Sequence, residues 1–269
     1  MPTVLITDCT SSIGLDSATL FSAIGWNVIA TKRSRDLQIE LDENERTWIT
    51  RLDVCDLDEI TATIDEGVTR FGNIDVLVIN AMHHQIGLLE AVPRKDLIQH
   101  FAINMLGTMD MIRSIMPHFR QKHSGVVIVV VSSPDRSILP LMSSVYATNF
   151  ALEGFLEAFR PEAASQGVIV KLVVRYCAPS EMIFQEHALS YLSDFSLEDY
   201  HDYIKVSENV LTKKRGGFRS SEEVAREIYN AASDGNSSLR YLVGNENGIH
   251  NGHDGDMLDT SYGLRSHTN

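Results

Sequence analysis

The sequence predicts an α/β fold with a doubly wound parallel sheet, and three observations carry that expectation. Short apolar runs alternate along the chain with segments of helical period, the pattern of strand-helix-strand units. Two of the runs, Val126 to Val131 and Val168 to Val174, are continuous rather than alternating, as central strands buried on both faces are. The chain has 269 residues, 43% of them apolar and 22% charged, enough to bury a sizeable core.

The elements follow in order. Val4-Leu5-Ile6 reads as the first strand, Val28-Ile29-Ala30 as the second, Thr47 to Leu52 as the third and Val76-Leu77-Val78 as the fourth. Val126 to Val131 and Val168 to Val174 are the fifth and sixth, and Leu239 to Val243 is a late seventh. Helical period covers Gly14 to Ile24, Leu57 to Phe71, Arg94 to Arg120 and Val145 to Ser165. A further helix starts at Ser220-Ser221-Glu222-Glu223, where a serine with glutamate nearby supplies an N-terminal cap. One domain over residues 1–245 accounts for these elements. From 178 to 218 the rhythm breaks: Met182, Phe184, Tyr191, Phe195, Tyr200 and Tyr203 stand among acidic residues, as expected of a lid over a substrate. Residues 246–269 are rich in turn formers and read as a loosely ordered tail; its His250 and His253 are better explained by solvation than by a metal.

A formal net charge of −13 argues against nucleic acid and anionic membrane partners, and no run approaches the ~20 apolar residues that cross a bilayer. The three cysteines, Cys9, Cys55 and Cys177, are too few and scattered for a disulfide framework or a cysteine-rich metal site, so a cytoplasmic protein without a bound metal is expected.

The turn after the first strand, Thr7-Asp8-Cys9-Thr10-Ser11-Ser12-Ile13-Gly14, resembles the T-G-x-x-x-G-I-G that opens the short-chain dehydrogenase/reductase family. Other landmarks fall in register: Leu52-Asp53-Val54 resembles L-D-V, Asp75 to Met82 resembles D-V-L-V-N-N-A-G, Asn104 to Gly107 resembles N-x-x-G, and Thr148 to Phe155 resembles T-K-F-A-L-E-G-F. The resemblance implies a Rossmann-like fold and a dinucleotide held by Thr10, Ser12, Ile13, Lys32, Arg33, Asp53 and Asn80. Lys32 and Arg33 favour a 2′-phosphate, hence NADP(H) over NAD(H).

Nearly every chemical motif is nevertheless altered. The family's first two glycines, which make the turn tight and let the backbone approach the pyrophosphate, are Asp8 and Ser12. A carboxylate there weakens or abolishes cofactor binding, unless Asp8 serves to cap the helix in place of the phosphate. Family members pair a tyrosine with a lysine four residues on, the lysine lowering the tyrosine pKa. Aligning Asn149-Phe150-Ala151-Leu152 on K-F-A-L puts Val145 at the tyrosine and Asn149 at the lysine; the register that uses Tyr146 puts Phe150 at the lysine. Ser132 matches the family serine, Asn104 the helix asparagine, and Arg175-Tyr176 replaces Pro-Gly.

The catalytic candidates are therefore Ser132, Tyr146, Asn104, His84, Arg136 and Arg175, with Met82, His83, Tyr176, Met182 and Phe184 lining the substrate pocket. A histidine could act as a general base and an arginine could hold an oxyanion. Three functions are open. The first is a non-redox step such as cyclisation, isomerisation or elimination on a bulky, largely apolar metabolite in the old reductase crevice. The second is an NADPH-dependent reduction of a substrate that is already electrophilic, and the third is an inactive binding partner of an active relative. The cofactor expectation is none, or weakly bound NADP(H), and the assembly expected is a homo-oligomer.

Overall fold

The computed structural model describes residues 1–134, 139–177, 189–191, 197–212 and 219–244. Strands β1 (Thr3–Ile6), β2 (Asn27–Lys32), β3 (Thr47–Arg51), β4 (Val76–Ile79), β6 (Gly125–Pro134), β7 (Val168–Cys177) and β9 (Arg240–Val243) form one sheet in the order β3-β2-β1-β4-β6-β7-β9. Every pairing in it is parallel. The chain moves outward from β1 to β3, then crosses back to β4, so a crevice opens at the carboxyl ends of β1 and β4.

Both faces of the sheet are covered, as its uninterrupted valine and isoleucine strands require. Helices α2 (Leu57–Phe71), α4 (Thr108–Lys122) and α5 (Ser143–Ala164) bury Ile60, Ile64, Met111, Ile115, Phe119, Leu152 and Leu156 on one face. Helix α1 (Ser12–Ala23) and the last helix, α7 (Ser221–Ser233), bury Ala18, Phe21, Val224 and Ile228 on the other. The expected cap of α7 is a full capping box between Ser220 and Glu223. Helix α2 starts on the Asp56 carboxylate and stops at Gly72, whose φ of 77° is the left-handed stop that glycine adopts without strain.

Three departures from the sequence reading bear on the site. The helix expected over Arg94 to Arg120 is α3 (Arg94–Phe101) joined to α4 through a π-helical stretch, Ala102–Gly107. The wider turn lets Gly107 lie against Val54, where a Cβ would come within 2.8 Å of Cγ2. Second, β5 (Gln85–Gly87) and β8 (Leu189–Tyr191) pair as a small parallel sheet, each three residues long and too short for a periodicity signal. Third, the stretch expected to be a lid loop contains a 3₁₀ turn, Glu198–Tyr200, and helix α6 (His201–Thr212). The latter contributes Tyr203, Ile204, Val210 and Leu211 to an apolar cluster with Ile86, Leu141, Met142 and Val145.

Within the sheet Lys171 is fully buried; its Nζ donates to the Ala231 carbonyl at the end of α7 and to Asp234, under the Tyr241 ring. Lys171→Ala is expected to lower stability by about 2 kcal/mol, less than the ~3–5 kcal/mol of a fully buried pair because Asp234 keeps contact with solvent. Urea unfolding followed by circular dichroism measures it, and an unchanged midpoint would show that the ammonium holds nothing.

Candidate active site and nucleotide cleft

The turn between β1 and α1 is built around one carbonyl. Asp8 adopts a φ of 53°, left-handed backbone that aspartate tolerates better than most residues. Its carbonyl oxygen accepts from Ser11 Oγ at 2.9 Å and from Asn80 Nδ2 at 3.1 Å. Gly14 approaches the same oxygen so closely that a Cβ would lie 2.2 Å away. The Asp8 carboxylate accepts from the Thr10 hydroxyl at 2.5 Å, and it is Ser11 that caps α1 by accepting from the Gly14 N–H. Asp8 is therefore not the helix cap that the sequence allowed. Ser12 is exposed at the first turn of α1, whereas Ile13 is buried in the core.

Beside this turn lies a shallow cleft that opens to solvent, lined by Asp8, Arg33, Leu52, Asp53, Val54, Ala81, Met82 and Ile103. Apolar walls from the ends of β3 and β4 face each other, and Arg33 stands at the end of β2 with Arg51 donating to its carbonyl. Lys32 is committed elsewhere, its Nζ donating to the carbonyls of Arg35 and Leu37. Asn80 is likewise engaged, bonding Ser11 Oγ and the carbonyls of Thr7 and Asp8, so it shapes the turn rather than offering a free amide. The fit to a dinucleotide is uneven: the cleft offers an apolar slot with a cation at its rim, while Asp8 puts a carboxylate beside the helix N-terminus that would meet phosphate.

Farther along the crevice Ser132 on β6 is buried and in register with Arg175 on β7, which is also buried; Tyr176 is half-buried. Asn149 donates through Nδ2 to the Ser132 carbonyl at 3.0 Å. Val145 is buried in the apolar cluster with Ile86 and Leu211. Tyr146 points elsewhere: its hydroxyl accepts from the Leu139 N–H, and its ring stacks on Phe150. Arg136, Met182 and Phe184 lie outside the described residues.

His83 and His84 are both buried, and the backbone of His83 is held on both sides by one side chain. Asn104, in the π-helical stretch, accepts from the His83 N–H at 2.7 Å and donates to the His83 carbonyl at 2.8 Å. Behind it His100, fully buried, contacts the Ser144 carbonyl at 3.0 Å and Thr148 Oγ1 at 3.1 Å through Nε2. Gln85, 1% exposed, makes no side-chain hydrogen bond among the described residues. Burial holds the His100 pKa below the ordinary histidine value, partly opposed by the bond to Ser144. Cys9 is buried and its thiol pKa is pushed up by that burial, which leaves it inert.

Comparison with known proteins bears on this geometry. Residues 2–187 match the family model described as short chain dehydrogenase. The chain belongs to the short-chain dehydrogenase/reductase family. An uncharacterized oxidoreductase of Schizosaccharomyces pombe is 30% identical over 76% of this chain and 84% of its own length. Human 17-beta-hydroxysteroid dehydrogenase type 1 is 30% identical over 89% of this chain and 76% of its own length. Among solved structures, a short-chain dehydrogenase from Streptomyces avermitilis superposes with a TM-score of 0.77 at 24% identity, over 91% of this chain and 88% of that one. A structure described as ElxO with NADP bound gives 0.70 at 22%, over 90% and 96%.

Among the described residues no group of three metal-binding side chains comes together, and no helix is long and apolar enough to cross a membrane. Sequence reading passed over His100, Ser144, Thr148 and Gln85. A signal existed for the first three: His100 precedes Asn104 by four residues and Ser144 precedes Thr148 by four, so each pair shares a helix face.

Because the folded state lowers the His100 pKa, it favours the neutral ring. The associated stability is fully present above the ordinary value near 6.5 and is lost as the pH falls through the folded value. His118, lowered by burial and by Lys122, acts in the same direction. The urea midpoint of the native chain is therefore expected to drop between pH 7.5 and 5, and His100→Gln, which cannot titrate, should flatten that drop. An identical pH dependence in the variant would show that His100 is not the group responsible.

Proposed function

We propose that the chain is an NADP(H)-linked oxidoreductase whose substrate is already electrophilic, a bulky, largely apolar molecule carrying a carbon such as that of an iminium. The observation that carries the reading is the cleft closed on one side by Leu52, Val54, Ala81 and Ile103 and rimmed by Arg33. Arg33 suits a 2′-phosphate, because a guanidinium offers forked donors to a dianion, and the apolar walls suit an adenine ring. Bound there, NADP(H) supplies or takes a hydride. The relatives described above are named oxidoreductases or dehydrogenases, which supports a redox step over cyclisation, isomerisation or elimination. The ElxO structure with NADP supports the choice of cofactor at the level of the fold.

The rest of the reading follows from what the crevice residues can do with protons. A ketone that accepts a hydride becomes an alkoxide and needs a proton donor, and acid catalysis of this kind contributes ~10²–10⁴-fold. Val145 carries no proton and Asn149 no charge, and the Tyr146 hydroxyl is turned to Leu139. An iminium carbon becomes a neutral amine on accepting a hydride, with no proton transferred. Ser132, Asn104 and the backbone they fix then need only orient the substrate and exclude water. Arg175, His84 and Tyr176 remain candidates for binding its polar parts. The apolar cluster around α6, with Tyr200 and Tyr203 beside it, suits a large apolar substrate, as does the hydroxysteroid in the human relative's name.

Two measurements test this. Titration calorimetry should give NADPH binding weaker than low micromolar, tighter than NADH, with the preference lost in Arg33→Ala. Asp8→Gly with Ser12→Gly should tighten NADPH at least tenfold, about 1.4 kcal/mol, since it removes a charge and a side chain from one anion site and relieves left-handed strain. No binding by either protein at millimolar NADPH would end the cofactor reading. In the second, NADPH oxidation is followed with a cyclic iminium and with the ketone of the same skeleton; the iminium should react at least ~10²-fold faster. Equal rates, abolished by Tyr146→Phe, would identify Tyr146 as a working acid instead.

A further inference from the structure

We propose that His100 is a positioning residue: it ties Asn104 to α5 and thereby fixes the His83–Gln85 wall of the crevice, a task given to a buried imidazole between two helices. The carbonyl of Ser144 only accepts, so the His100 nitrogen 3.0 Å from it, Nε2, carries the proton. Asn104 Nδ2 lies 3.3 Å from Nδ1 and 3.4 Å from Nε2, and of the two only the unprotonated Nδ1 can accept its hydrogen. Asn104 Nδ2 also donates to the His83 carbonyl, while Oδ1 of the same carboxamide accepts from the His83 N–H. The polarity of the whole chain is thus set from one end: α5 carbonyl, imidazole, carboxamide, wall backbone. Turning the carboxamide over would bring Oδ1 against the His83 carbonyl and Nδ2 against the His83 N–H, two repulsive contacts in a dry site.

Three segments meet on this chain: α3 with its π-helical extension, the N-terminal turns of α5, and the loop leading into β5. Ser144 adds a second tie between the same parts, donating through Oγ to the Gln85 carbonyl at 3.3 Å. The wall so held begins beside Met82, which lines the nucleotide cleft, and runs to Ile86, which packs with Val145. Backbone geometry beside the cleft and at Val145 therefore depends on a ring that is itself fully buried and does not line the cleft. His100 has no part in the family resemblance quoted for this sequence. The inference deepens the oxidoreductase reading, and relies on it only for the effect on nucleotide affinity.

The test uses the full chain, with amide hydrogen exchange read residue by residue by NMR in the absence of nucleotide. His100→Phe fills the volume without offering a hydrogen bond, whereas His100→Gln offers a donor for Ser144 and an acceptor for Asn104 through one carboxamide. In the phenylalanine variant the His83 amide should exchange at least ~10-fold faster while the amides of Val127 to Val129 keep their protection. The glutamine variant should stay within about threefold of the native chain. Native protection at His83 in the phenylalanine variant, or equal loss in both variants, overturns the assignment. Should the phenylalanine variant not fold, the native ring decides: ¹⁵N shifts of His100 at pH 7.5 must show the Nε2–H tautomer, and the Nδ1–H tautomer overturns the proposal. NADPH affinity, if the native chain binds NADPH, should fall several-fold in the phenylalanine variant alone. Absence of NADPH binding to the native chain would defeat the cofactor reading and leave the exchange result to decide the role of His100.

Discussion

The carbonyl oxygen of Asp8 is the point on which the crevice depends. Two pieces of chain converge on it: the start of α1, through Ser11 Oγ and through the backbone of Gly14, which comes too close for any side chain, and the end of β4 through Asn80. This fixes α1 against the sheet at the one place where the topology opens a cleft. Since the contact is made by backbone and by Asn80, the side chain at position 8 could depart from glycine without dismantling the turn, provided that the new residue tolerates a positive φ. Aspartate does, at a cost in strain and in charge beside a phosphate seat.

The two halves of the crevice have diverged differently. On the nucleotide side the walls and the basic rim persist, and only the phosphate turn is altered. On the substrate side Val145 belongs to an apolar cluster to which α6 contributes, and Asn149 bonds the Ser132 carbonyl. Of the buried polar groups there, Asn104, His100, Ser144 and Thr148 bond one another or the backbone, whereas the Gln85 carboxamide finds no partner among the described residues. On the proposed reading such a site holds a substrate by shape and by a few fixed dipoles, and the substrate brings its own charge.

The fold was legible because its signals are local. Continuous apolar strands, helical period and the cap at Ser220 are written within a few residues of where they act. The elements missed were those whose local signal is too short, β5 and β8, or whose local signal is intact while the geometry differs, as in the π-helical stretch inside an apparently continuous helix. At the site the same division holds. Arg33 and Asp53, expected from the family resemblance to hold a cofactor, and Met82, expected from its place after β4 to line the substrate pocket, all border one cleft, whereas Lys32, adjacent in sequence to Arg33, is drawn away by two carbonyls that no pattern announces.

The sequence by itself determined that this chain is a parallel α/β sheet of the short-chain dehydrogenase/reductase family, and that no lysine stands at the family's lysine position in either register, Asn149 with Val145 or Phe150 with Tyr146. Periodicity and residue identity suffice for such statements, because burial on a helix or strand face follows from spacing along one element. Only the tertiary structure decided that Ser11 rather than Asp8 caps α1, that Tyr146 turns to Leu139, and that His100, Asn104 and His83 form one hydrogen-bonded chain. These depend on the direction of single polar bonds between segments, such as the one from His100 to Ser144 across 44 residues, and a hydrogen bond changes partner with a rotation that leaves every sequence pattern unaltered.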